Sequence, residues 1–75
     1  MNAQNRKDIA EIREELEVLK DRINQLAEEE REKFDNLSEG FQQSERGQSY
    51  EEAAETLESA VSSLEEAIGS LEEIA

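Results

Sequence analysis

Ile9-Ala-Glu-Ile12-Arg-Glu-Glu-Leu16-Glu-Val-Leu19-Lys-Asp-Arg-Ile23-Asn-Gln-Leu26 is the stretch that decides the fold. Its apolar residues Ile9, Ile12, Leu16, Leu19, Ile23 and Leu26 are separated by steps of 3, 4, 3, 4 and 3. An α-helix turns once per 3.6 residues, so these side chains form one stripe along a helix. In heptad letters Ile9, Leu16 and Ile23 are a positions, and Ile12, Leu19 and Leu26 are d positions. Such a stripe is stable only when another helix covers it. The segment contains no Gly or Pro and is rich in Glu, Leu, Arg and Lys, all good helix formers. The spacing predicts helix 1 over about residues 3–35.

The seam loses its apolar residues after Leu26, because Glu30 and Lys33 hold the next a and d positions. Apolar character shifts to Ala27 and Phe34, then to Leu37 and Phe41. Gly40 and Gly47, with Asn36, Ser38 and Ser44, mark a connection over residues 36–48. Leu37 and Phe41 stand four apart, so an ordered corner held by Phe34, Leu37 and Phe41 is expected.

Helix 2 is predicted over about residues 49–75, opened by Ser49-Tyr-Glu-Glu52, a capping-box pattern. Leu57, Leu64 and Leu71 recur every seven residues, with Tyr50 one heptad earlier. Ala53, Ala60, Ala67 and Ile74 fill d; Ala54, Val61, Ile68 and Ala75 fill e. This face is broader than a simple seam and calls for more than one neighbour. Small residues along d, bordered by Thr56, Ser63 and Ser70, make a flat strip that lets another backbone come close. Glu recurs at Glu51, Glu58, Glu65 and Glu72, and at Glu52, Glu66 and Glu73, with no Lys or Arg after Arg46. Alone, this acidic helix is marginal. Arg6, Arg13 and Lys20 along helix 1 offer a basic edge that could face it.

The fold class expected is all-α: one domain over residues 1–75, a helical hairpin that completes its core as a dimeric coiled coil or four-helix bundle. A chain of 75 residues buries a modest core, and disulfides are excluded because it contains no Cys. Oligomerisation is the remaining staple, a dimer first and a tetramer second. The self-association residues expected are Ile9, Ile12, Leu16, Leu19, Ile23 and Leu26 from helix 1, and Leu57, Ala60, Val61, Leu64, Ala67, Ile68 and Leu71 from helix 2.

Composition bounds the function. Eight basic residues stand against 21 acidic ones, a net charge of −13. Direct nucleic-acid binding needs a basic footprint and is excluded, and anionic membrane surfaces are disfavoured. Met1 to Asp8 carries no apolar run behind its charges, so no secretory leader is expected and a cytoplasmic setting is. With no His and no Cys, the commonest general base and the strongest nucleophile are missing, so no enzyme, catalytic residue, cofactor or metal is expected. The run Glu28-Glu29-Glu30, with Glu32 and Asp35, reads as a solvated helix face, because a helix cannot aim consecutive carboxylates at one point.

The function expected is protein–protein interaction. The acidic ridge, with Glu58, Glu65 and Glu66, is one candidate partner surface, suited to a basic, nucleic-acid-binding protein. The corner at Phe34, Leu37 and Phe41 is the other. The competing class is a structural protein whose self-association is its function. Phe34-Asp-Asn-Leu-Ser-Glu39 and the Glu/Ala/Leu repeat that follows it resemble a group of small acidic two-helix coiled-coil proteins of bacteria and phages. In that group an aromatic-Asp-Asn-Leu-Pro-Glu motif joins the helices, and here Ser38 stands in the place of the Pro. The resemblance spans about residues 28–75 and implies a phage or mobile-element setting and a shared corner, with no activity to carry over. The interaction expected from the residues is binding, or inhibition, of a host protein.

Overall fold

The computed structural model describes residues 1–74, and every regular element among them is helical. Three helices lie among the described residues: α1 (Ala3–Asp35), α2 (Glu39–Gln42) and α3 (Glu45–Glu72). The molecule measures 58 × 14 × 12 Å. Its radius of gyration is 17.0 Å, against about 11 Å for a compact chain of this length.

The heptad stretch lies inside α1, as its spacing dictates. Asn2 caps the start, its side-chain oxygen accepting from the Asn5 backbone N–H at 2.7 Å. At the other end the Asn36 N–H returns to the Glu32 carbonyl and the Leu37 N–H to the Phe34 carbonyl at 3.1 Å. The Gln42 side chain donates to that same Phe34 carbonyl at 3.2 Å. These bonds satisfy carbonyls that the helix end leaves without partners.

The connection differs from the expected single corner. It contains the one-turn α2, and α3 begins at Glu45, four residues before the predicted start at Ser49. Ser44 is the cap: its hydroxyl accepts from the Gly47 N–H at 3.2 Å and donates to the Phe41 carbonyl. Gly47 is buried within the first turn of α3. A Cβ there would overlap the carbonyl oxygens of Phe41 and Gln42. The early start thus depends on a glycine that lets α3 close onto α2. Phe34 and Leu37 are half-buried in this region, but Phe41 is 67% exposed. The expectation that Phe41 holds the corner is corrected: α2 is too short to turn that ring inward, and its backbone carbonyl makes the contact instead.

α1 and α3 lie side by side and run in opposite directions. The Arg31 guanidinium meets the Glu58 carboxylate at 2.9 Å, and nearer the connection Lys33 Nζ sits 5.8 Å from the centre of the Tyr50 ring. The apolar residues fully buried between the helices are Ala27, Ala54 and Ile68, all at e positions. The a residues Ile9, Leu16, Ile23, Leu57, Leu64 and Leu71 are half-buried beside them. Two alanines and one isoleucine make a slight core for so long a molecule.

Candidate interaction site

Each helix turns its a and e rows toward the other, which moves its d row to the side. On α1 that leaves Ile12 46%, Leu19 44% and Leu26 50% exposed. On α3 Ala53 and Ala60 are half-buried and Ala67 is exposed; Ile74, just past the end of α3, is 42% exposed. The sequence reading took a and d as one seam. The structure divides them: a and e serve the packing of α1 on α3, and d is left open. The reason is the broad apolar face of α3, whose e residues Ala54, Val61 and Ile68 draw the e row of α1 toward them.

The open rows belong to one surface. Antiparallel helices that meet through the same heptad letters are related by a local twofold axis, which keeps both d rows on the same side of the pair. Ile12, Leu19 and Leu26 therefore run alongside Ala53, Ala60, Ala67 and Ile74. The α3 border of this surface is Ser49, Thr56, Ser63 and Ser70. In a chain of net charge −13, α3 presents from Ser49 onward a face with no charge along its d and g rows; only Arg46, in its first turn, interrupts them.

The charges gather elsewhere. Glu52, Glu55, Glu58, Glu65, Glu66 and Glu72 are exposed on α3, as is Glu73 at its C-cap. Among the described residues three ion pairs form, and only Arg31–Glu58 joins two helices. Lys20 bonds to Glu17 on its own helix at 3.0 Å, and Lys33 to Glu30 at 3.0 Å. The hydrogen bonds to Glu17 and Glu30 raise Lys20 and Lys33 above the ordinary lysine value of 10.5. A raised lysine stabilises below its ordinary value and loses that contribution only as pH climbs through the raised one, so both pairs persist at neutral pH. Arg31 is likewise raised by its bond to Glu58, with Glu55 and Glu51 adding to the field. Of the expected basic edge, Arg13 and Lys20 lie half-buried along the packing face, where Glu65 of α3 helps to raise Lys20, and Arg6 is exposed; the ion pair to α3 is made by Arg31 instead.

The third feature is the corner. Leu37, Phe41, Ser44, Glu45 and Arg46 line a shallow concavity with the exposed Phe41 ring on its rim. Of the corner candidates, Phe34 and Leu37 are partly covered and Phe41 stands out to solvent.

No protein-family model, curated protein or solved structure matches this chain. No helix among the described residues is long and apolar enough to cross a membrane. The functional reading therefore rests on the two surfaces just described, one apolar and one acidic.

Proposed function

We propose that this chain is a non-enzymatic protein–protein interaction protein that works as an acidic helical homodimer. Its apolar face joins two copies of the hairpin into a four-helix arrangement. Its acidic outer surface holds a basic protein, of the kind that binds nucleic acid. The observation that carries this reading is the segregation of side chains. Ile12, Leu19 and Leu26 stand exposed on one face, while the carboxylates of α3 stand on others.

Charges arranged on one surface accelerate encounter with an oppositely charged partner, and added salt weakens that attraction. The likeness of the Phe34–Glu39 motif to small phage and bacterial proteins favours a cytoplasmic, mobile-element setting in which the partner is a host protein and binding inhibits it. A second reading, that self-association is the whole function, is favoured by the length of the apolar face.

The experiment compares the wild type with a Glu58→Gln, Glu65→Gln, Glu66→Gln triple variant as bait at low and moderate salt. The expected result is a basic protein captured by the wild type, released as salt rises, and bound more slowly by the variant. Equal capture by both baits would remove the acidic ridge as the recognition surface. Capture of nothing by either would leave self-association as the function.

A further inference from the structure

The open apolar face has a definite occupant, and we infer that it is a second copy of this chain, docked so that α1 of each copy lies on α3 of the other. This inference rests on the self-association reading above and specifies its geometry. Area supplies the first argument. The chain exposes 5568 Å² at a mass of 8.5 kDa, whereas a compact monomer of that mass exposes about 4,700 Å². The excess is about the 800 Å² per partner that a standard protein interface covers.

Size supplies the second. The open row of α1 is large, with Ile12, Leu19 and Leu26; the open row of α3 is small over Ala53, Ala60 and Ala67. Facing layers pack without voids when large side chains meet small ones. If α1 met α1 and α3 met α3, large would stack on large and small on small, and the two layers could not stay evenly spaced.

Charge supplies the third. The row bordering the face on α1 is Asp8, Glu15, Arg22 and Glu29; on α3 it is Ser49, Thr56, Ser63 and Ser70. Laying α1 on the partner's α3 sets charged residues beside hydroxyls. Laying α1 on the partner's α1 would set two rows side by side, each with three acids and one base. The favoured arrangement has its twofold axis parallel to the helices, and every neighbouring pair of helices in it is antiparallel.

The register within one chain carries over, since a rotation about that axis leaves heights along the bundle unchanged. Arg31 bonds to Glu58, and Glu65 acts on Lys20. Leu26 is then near the level of Ala60, and Leu19 near that of Ala67.

The chain has no Cys, so introduced thiols report cleanly. Leu26→Cys chains and Ala60→Cys chains are refolded together, oxidised, and run on a denaturing gel beside each variant treated alone. Leu19→Cys with Ala67→Cys is the second pair, in case one variant of the first fails to fold. Covalent dimer is expected from each mixture and not from any single variant. A single variant that links as well as its mixture, or a mixture that does not link, overturns the arrangement. The molar mass of the reduced variants is read in the same buffer. Monomers there would overturn self-association itself, including by showing that the face awaits a different protein; dimers with the wrong linkage overturn only the pairing of α1 with α3.

Discussion

At the scale of single residues, two glycines on the same helix have opposite roles. Gly47 sits where a Cβ would meet the carbonyls of Phe41 and Gln42, whereas a Cβ on Gly69 would meet nothing within 4 Å. Both have ordinary helical backbone, so alanine's better helix propensity favours the substitution at each by about 0.5–1 kcal/mol. At Gly47 overlap with fixed backbone outweighs that gain, at a cost of about 1–3 kcal/mol. Gly69→Ala is expected to raise the melting temperature and Gly47→Ala to lower it. Thermal unfolding followed by circular dichroism checks both, and a stabilised Gly47→Ala would mean that α3 does not close on α2 as described. This contact was hard to read from sequence. Gly47 looked like a breaker, and Ser49-Tyr-Glu-Glu52 offered a better-known capping pattern than Ser44. The choice between them was made by Ser44, whose hydroxyl reaches both the Phe41 carbonyl and the Gly47 N–H.

At the scale of elements, α1 was legible because its apolar steps and its freedom from Gly and Pro agree. What the steps could not say was how α1 divides its stripe between two neighbours. Periodicity names a face; the partner's shape decides which edge of it is covered. Here the e residues of α3 pull Ala27 into the packing and leave Leu19 and Leu26 outside. Adjacent residues test this division. Leu19 lies on the open face, while Val18, 60% exposed, points away from α3. Leu19→Asp would bury a charge where the second copy docks, and is expected to weaken the dimer by about 3 kcal/mol, roughly a hundredfold in dissociation constant. Val18→Asp is expected to change stability by less than about 0.5 kcal/mol, as surface substitutions usually do. Sedimentation across a dilution series reads both. Equal effects at the two positions would mean that the d row is not an interface. The acidic ridge of α3 was legible from its repeat, and all of its carboxylates but that of the half-buried Glu51 are exposed. Phe41 was not, because nothing in the spacing revealed that α2 is a single turn.

At the scale of the whole molecule, two forces compete. Apolar burial holds the helices together, and a net charge of −13 pushes them apart. Among the described residues the one ion pair that joins two helices is exposed, with side-chain exposures of 35% for Arg31 and 52% for Glu58, and such pairs contribute about 0–1 kcal/mol. Repulsion therefore dominates the electrostatics. Raising sodium chloride from low concentration to about 0.5 M shortens the screening length to a few ångströms and is expected to raise the melting temperature. A melting temperature that falls with salt would mean that attraction between charges holds the fold.

The same balance makes the second copy central. Ala27, Ala54 and Ile68 alone are a thin core for helices of 33 and 28 residues. The apolar rows left open on one chain are what a partner copy would bury. The direct measurement is the molar mass in solution at micromolar concentration, with melting followed over a dilution series. The expected result is twice the 8.5 kDa chain mass and a melting temperature that falls on dilution. A well-folded species of 8.5 kDa whose melting does not depend on concentration would contradict it.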